Sequence, residues 1–318
     1  MTDAEGPPEA PSPLVSAVIL GYNAEQFIEQ AVRSVLAQTI SAVEVIVVNN
    51  GSTDGTGRLV DSLEDARVRL IDVKEPLGVT TARNLGAREG KGEFVAFLDH
   101  DDSWYPEKLE RQIALLRSDA SVVAVGCLLR GETLTGKAVW TYGMPLTEPW
   151  QQEAIARAEL IPFEPSSLLL PTATLRALDY FDERIPIVSV LELLARATKL
   201  GKIACVPEFL GTYRVHSGSL SRRRPRQVFE EMYFVRTRLA ARARGEDLTW
   251  SQYKRDHPIG LLVWRKVYLR AWSLVTRIAL EEHRWVHALR YGLLSAILGP
   301  LHVGKALIQR LVGKEPEG

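Results

Sequence analysis

The first 130 residues alternate short apolar runs with stretches of helical spacing. Residues 15–20 are apolar and stop at Gly21, the pattern of a buried strand. Between residues 24 and 38, Phe27, Ala31, Val35 and Leu36 recur at helical intervals. A second, β-branched run at 43–48 breaks off at Asn49-Asn50-Gly51-Ser52, and Asp54 can cap a helix opening at Thr56. Residues 68–71 predict a third strand, 80–88 a helix and 94–98 a fourth strand. Pro106 suits the first turn of a helix running to about Arg117, and 122–129 reads as a fifth strand. This alternation predicts an α/β fold with an open, mostly parallel sheet flanked by helices. Beyond residue 130 it fades. Strands are expected at 166–170 and 202–206 with a helix at 188–200 between them, and helix from about Gln227 onward. There, Leu261, Trp264, Val267, Ala271, Val275 and Ile278 keep helical spacing.

In such sheets ligands bind beyond the carboxyl ends of the strands. Three polar clusters fall there: Gly21-Tyr22-Asn23, residues 49–54 and residues 99–102. The last is the most pointed, because the run FVAFLDHDD ends in Asp99, His100, Asp101 and Asp102. Carboxylates crowded at one sheet edge are costly unless a cation or solvent compensates them. Mg²⁺ favours oxygen ligands and bridges one or two carboxylates to a diphosphate. A turn leading into Pro106 would need only one of these acids. Asn49 closes the second strand, either as a turn residue before Gly51 or as a partner for a nucleobase edge. Arg83, next to Asn84, is either a planar fork for a diphosphate or an ordinary ion-paired arginine. No G-x-G-x-x-G follows the first strand, and GAREGKG at 86–92 lacks the spacing and the hydroxyl residue of a P-loop.

Composition adds three constraints. The 318 residues are 46% apolar and 25% charged, enough for one large domain or a domain with an appendage. The acidic, Pro-rich residues 1–13 predict a disordered tail and carry no secretory leader. The two cysteines, Cys127 and Cys205, have no metal-ligand spacing and read as buried free thiols in a reducing cytoplasm. The zero net charge hides an asymmetry: residues 1–221 hold 20 Lys+Arg against 30 Asp+Glu, and 222–318 hold 19 against 9. The basic part opens with Arg222-Arg223-Arg224 and Arg226, and interleaves Trp264, Tyr268, Trp272, Trp285 and Tyr291 with further cations. It reads either as amphipathic helix on an anionic membrane or as helix packed on the preceding domain. Its helices could also pair into a homodimer. The acidic half disfavours nucleic acid, and no apolar run reaches the roughly 20 residues that cross a bilayer.

The motifs together resemble family 2 glycosyltransferases, inverting enzymes of the GT-A nucleotide-diphospho-sugar transferase-like fold. The resemblance rests on VSAVILGYNAEQFIEQAVRSVLAQTI, VIVVNNGSTDGT, GVTTARNLGAREGKGEFVAFLDHDDSWYPEKL and PEFLGTYRVHSGSLS, in that order. It covers about residues 14–221, with a nucleotide-binding half at 14–130 and an acceptor half at 131–221, leaving 222–318 as a basic helical extension. It implies a nucleotide-sugar site of Gly21, Tyr22, Asn23, Asn49, Gly51, Ser52, Asp54, Arg83, Asn84, Asp99 and His100. It implies Mg²⁺ or Mn²⁺ on Asp101, with Asp99 and His216, and makes Asp101 the catalytic carboxylate. UDP- or dTDP-sugars are the expected donors and a glycan or lipid-linked hydroxyl the acceptor. Synthesis of bacterial surface polysaccharide or glycolipid, on the inner face of the plasma membrane, is the expected setting.

Two positions depart from the family. It usually has Asp where Asn49 stands. It usually starts the helix before Tyr-Arg-x-His with a Glu-Asp pair that supplies the general base, and here that place holds Ser189-Val190. Glu192 and Glu183 are the substitute candidates. The departure keeps a second expectation alive, a nucleotide-binding pseudo-glycosyltransferase that serves as a partner module.

Overall fold

A computed structural model describes residues 12–256; the first eleven residues of the tail expected at 1–13 and the helical spacing beyond 256 lie outside the described residues. In chain order the elements are β1 (Val15–Gly21), α1 (Ile28–Leu36), β2 (Val43–Asn50), α2 (Thr56–Asp61), β3 (Val68–Val73), α3 (Val79–Glu89) and β4 (Phe94–Asp99). Next come β5 (Ser103–Trp104), α4 (Lys108–Ser118), β6 (Val122–Thr133), β7 (Ala138–Tyr142), α5 (Pro149–Ala156), β8 (Leu169–Pro171) and α6 (Thr172–Ala177). The chain continues through α7 (Ser189–Ala197), β9 (Lys202–Val215), α8 (Leu220–Arg223), α9 (Pro225–Arg242) and α10 (Trp250–Asp256).

The strands form one sheet in the order β3-β2-β1-β4-β8-β6-β9-β5, with β7 paired to β6. β1, β2, β3 and β4 are parallel; β1, β2 and β4 are buried almost throughout, and the edge strand β3 is half-exposed. Alternate residues serve opposite faces. Ala17, Ile19, Val45, Val47, Ala96 and Leu98 pack with Ile28, Ala31, Val32 and Val35 of α1 and Leu109, Ile113 and Leu116 of α4. Val18, Val95 and Phe97 pack on the other side with Ala87 of α3, Leu175 of α6 and Val190, Leu193 and Leu194 of α7. Gly86 lets α3 lie flat on that face: a Cβ there would come within 2.5 Å of Val18 Cγ1.

The second half is less parallel than the spacing implied. β8 runs antiparallel to both β4 and β6, and β5 and β7 are antiparallel to β9 and β6. The strand expected at 166–170 is shorter, because Pro165–Ser167 form a 3-10 turn and only Leu169–Pro171 pair. The strand expected to stop at 206 runs on to Val215. Pro207 and Glu208 sit where the β6–β9 register slips, between the pairs Cys127–Val206 and Leu128–Phe209. A bulge tolerates a residue with no N–H to donate.

Up to Asp256 the basic region packs one face on the preceding domain. Phe234 and Val235 of α9 and Tyr253 of α10 bury themselves against Ile185, Leu191 and Ala195. Among the described residues no helix is long and apolar enough to cross a membrane. Cys127 and Cys205 are free thiols, the first buried and the second half-buried.

Candidate active site

Strand register sets the site. Gly21 of β1 pairs with Asn49 of β2, Asn49 with Asp72 of β3, and Leu20 with Asp99 of β4. Asp72, Asn49, Gly21 and Asp99 therefore line one edge of the sheet, each strand about 4.8 Å from the next. By contrast, residues 90–92 of GAREGKG precede β4 and lie at the opposite end of that strand.

The acidic loop after β4 is held by the second half of the chain. β5 pairs Ser103 with Thr212 and Trp104 with Gly211, which draws the end of β9 over Asp101 and Asp102. The Arg214 backbone N–H donates to Asp102 Oδ1 at 2.8 Å, and Arg214 Nε donates to the Asp101 carbonyl at 2.7 Å. His216 Nε2 lies 2.8 Å from Asp101 Oδ2. The 3-10 turn closes the loop from another side. Ser166 Oγ donates to Asp102 Oδ2 and accepts from the Asp99 N–H, while Trp104 Nε1 donates to the Ser166 carbonyl at 2.7 Å.

These contacts give the three acids different characters. Burial works to raise the Asp101 carboxyl, but the His216 hydrogen bond and the two neighbouring imidazoles outweigh it and hold it at about 2. Burial, with Asp101 and Asp99 acting in the same direction, pushes the Asp102 carboxyl well above the usual range. Asp99 is raised too, by burial, against the pull of Arg83. The Asp99 carboxylate accepts from Arg83 at 3.2 Å, and Arg83, 5% exposed, also donates to Ser189 Oγ at 3.3 Å. Asp99 thus faces Arg83, and Asp99, Asp101 and His216 are not gathered into one cation cluster. Among the described residues no group of three or more His, Cys, Asp or Glu side chains could hold a metal. Asp101 and His216 remain as a pair, one ionised carboxylate beside one imidazole. That donor set fits a cation which takes its other ligands from a diphosphate and water.

The remaining expected residues divide. Asn49 Nδ2 donates to Asp72 Oδ1 at 2.6 Å, while its Oδ1 is buried without a partner. Tyr22 is 51% exposed beyond the end of β1. Gly51 takes a positive φ of 73°, and a Cβ there would strike Pro76 at 2.8 Å. Asn23, Ser52 and Asp54 tie their two loops together. The Thr53 N–H donates to Asn23 Oδ1, the Asn23 N–H to Ser52 Oγ and the Glu25 N–H to Asp54 Oδ2. His100 Nδ1 turns back to the Leu20 carbonyl at 3.0 Å. Asn84 is fully buried away from the acidic loop's partners, and its amide bonds Phe181 and Glu183.

Both substitute bases are committed elsewhere. Glu192 is 2% exposed and gripped by Arg196 Nε at 2.8 and 2.9 Å and by Arg242 at 3.5 Å. Glu183 accepts from Asn84 and Thr81 at 3.0 Å each and pairs with Arg88. Asn84 leads the contacts that hold its carboxyl below the usual range, with Thr81 and Arg88 acting in the same direction. Two site residues were not singled out from sequence. Ser166 lies where the alternation had faded. Arg214 sat unassigned inside the Tyr-Arg-x-His segment.

Comparison with known proteins decides the family. The profile of Glycosyl transferase family 2 matches residues 16–177, just over half of the chain. The chain belongs to glycosyl transferase family 2. An uncharacterized glycosyltransferase of Rickettsia typhi is 32% identical over 211 residues, covering 64% of this chain and 65% of the relative. The chain thus spans slightly less than two thirds of that relative. A shorter match of 103 residues, 39% identical, covers 32% of this chain and 41% of WfgD of Escherichia coli. WfgD is named UDP-Glc:α-D-GlcNAc-diphosphoundecaprenol β-1,3-glucosyltransferase. Among solved structures, S. aureus TarS 1-349 superposes with a TM-score of 0.57 at 19% identity, over 87% of this chain and 88% of that one. A mannosyltransferase from Pyrobaculum calidifontis, in complex with GDP-Man and Mn²⁺, gives 0.56 at 18% identity, over 98% and 82%. This family 2 chain has the GT-A fold.

Proposed function

We propose that this protein transfers a hexosyl group from a UDP- or dTDP-sugar to an acceptor hydroxyl with inversion. The observation that carries the reading is the strand-end row. It sets the unpartnered Asn49 Oδ1, the Arg83–Asp99 pair and the Asp101–His216 pair at one edge of the sheet. Asn49 Oδ1 is a buried acceptor awaiting a donor, which the imide N–H of uracil or thymine supplies. The exposed Tyr22 ring gives the base a face to stack on. Asp101 and His216 would hold Mg²⁺ or Mn²⁺. Bound there, the cation offsets the charge that develops on the departing diphosphate. Arg83 orients Asp99 toward the sugar or ribose hydroxyls.

WfgD carries an undecaprenyl-diphosphate acceptor in its name, and a lipid-linked sugar is the acceptor class proposed here. That choice places the protein in surface polysaccharide or glycolipid synthesis at the inner face of the plasma membrane. The test is calorimetry with UDP and Mn²⁺, joined to turnover of UDP- and dTDP-sugars on lipid-diphosphate-linked sugars. Tight binding, and transfer that stops with EDTA, support the reading. Full transfer in excess EDTA would remove the cation from it.

A specific observation favours a second reading. Ser189 stands at the helix start, and Glu192 and Glu183 are both committed, so neither sequence candidate offers a free base. A pseudo-glycosyltransferase partner module would bind UDP tightly and turn over no donor.

A further inference from the structure

Inverting transfer needs a carboxylate near the acceptor hydroxyl. At the start of α7, Ser189 Oγ is occupied by Arg83, 3.3 Å away. A different carboxylate lies near the Arg83–Asp99 pair. Glu164 immediately precedes the Pro165–Ser167 turn. Its carbonyl accepts from the Ser167 N–H at 3.0 Å and from Ser167 Oγ at 2.9 Å, which fixes its backbone. Two residues on, Ser166 is bonded to both Asp99 and Asp102, which fixes the turn against the acidic loop. The Glu164 side chain is half-buried and lies within electrostatic reach of Asp99 on β4, Arg83 on α3, Arg222 on α8 and Tyr213 on β9. Each carboxylate around it has a named engagement: Asp99 with Arg83, Asp101 with His216, Asp102 with Ser166 and Arg214.

We propose that Glu164 is the general base of the transfer, accepting the proton of the acceptor hydroxyl. The assignment rests on the transferase reading above. In the step, the acceptor O–H proton passes to a Glu164 carboxylate oxygen. The acceptor oxygen bonds to the anomeric carbon from the face opposite the nucleotide. The bond from that carbon to the β-phosphate oxygen breaks, and its electron pair leaves with the nucleoside diphosphate. The products are the inverted glycoside, the nucleoside diphosphate and a protonated Glu164.

The surroundings suit the task. Burial and the nearby Asp99 raise the Glu164 carboxyl to about 7, against the opposing pull of Arg222 and Arg83. General bases work best when their pKa lies close to the operating pH. The placement also explains how a chain with Ser189-Val190 at the usual position can stay active.

The experiment compares wild type, Glu164→Gln and Glu164→Asp, each measured for UDP–Mn²⁺ affinity by calorimetry and for transfer to a lipid-linked sugar. The expected result for Glu164→Gln is a kcat at least ~100-fold lower with nucleotide affinity within about twofold of wild type. Glu164→Asp, which keeps the carboxylate, retains more activity than the amide. If Glu164→Gln unfolds, the Asp variant carries the test, with a reduced kcat and an intact nucleotide affinity expected. Undiminished kcat in Glu164→Gln, or in the Asp variant where only that one folds, overturns the assignment while leaving the transferase reading in place. Wild type that binds UDP but turns over no donor overturns the transferase reading, and the base assignment falls with it.

Discussion

His216 Nε2 and Asp101 Oδ2 lie 2.8 Å apart although 115 residues separate them in the chain. The contact fastens the last residues after β9 to the tip of β4, and it belongs to the two side chains best placed to share a cation. Replacing His216 with Ala should therefore weaken UDP binding in the presence of Mn²⁺ by roughly tenfold or more, a scale typical for lost support of a metal site. Binding of UDP without metal should change much less. Calorimetry with and without Mn²⁺ reads both, and equal losses under the two conditions would count against a shared cation.

Ser166 links two neighbouring acids by donating to Asp102 and accepting from the Asp99 N–H. Ser166→Ala leaves the buried Asp102 carboxyl with the Arg214 N–H as its remaining donor. An unsatisfied buried polar group costs about 1–3 kcal/mol. The variant should lose stability on that scale in urea unfolding, with the slope unchanged. Its activity should fall further than Ser167→Ala, because the acidic loop is the part released.

Asp182 anchors α9. Its carboxylate, 9% exposed, pairs with Arg238, 2% exposed, and with Arg184. Burial works to raise Asp182, but the Arg184 and Arg238 hydrogen bonds outweigh it and hold the carboxyl far below its usual range. The sign follows from that direction. The unfolded carboxyl titrates near 3.9, so the contribution is complete above about pH 4 and is lost as pH falls toward the lower folded value. Wild type should lose stability steadily below pH 4, and Asp182→Asn should show a flatter acid limb. At neutral pH that variant should be less stable by about 3 kcal/mol, since the buried Arg238 is left with the exposed Asp247 as its only carboxylate. Thermal unfolding from pH 7 to pH 3 tests both statements.

What could be read from sequence follows what each residue is asked to do. β1, β2 and β4 are buried on both faces, so their apolar runs announce themselves and end where the polar edge begins. α1 shows through Ile28, Ala31, Val32 and Val35, one apolar stripe facing the sheet. β7 is not legible, because Ala138–Tyr142 is a short flanking strand with half-exposed positions and no clear alternation. Pro207 hid the length of β9, since a proline argues against a strand unless a bulge receives it. At the site, Asp101 and His216 were visible as motif residues. The Ser166 contacts to Asp99 and Asp102 were not, because they depend on folding residues 164–166 against β4. No local spacing records that approach. Glu192 was a substitute candidate in the sequence, and what commits it further is Arg242, which reaches it through the packing of α9.

Asn49 stands where the family usually has Asp, and its neighbour explains the choice. Asn49 and Asp72 are paired across adjacent strands, and Asn49 Nδ2 donates to Asp72 Oδ1 at 2.6 Å. An aspartate at 49 would replace that hydrogen bond with two carboxylates at contact in a partly buried place. Asn49→Asp should therefore lower stability by about 1–3 kcal/mol at pH 7 and weaken UDP binding. Acidification toward pH 5 should return part of the stability, because like charges raise the pKa of one member of the pair. In Asn49→Asp/Asp72→Asn the donor and acceptor are exchanged, so the hydrogen bond is rebuilt with its direction reversed. That double variant should recover most of the stability and the nucleotide affinity. A double-mutant cycle gives the coupling directly. A coupling energy near zero would show that Asp72 is not the reason for the asparagine.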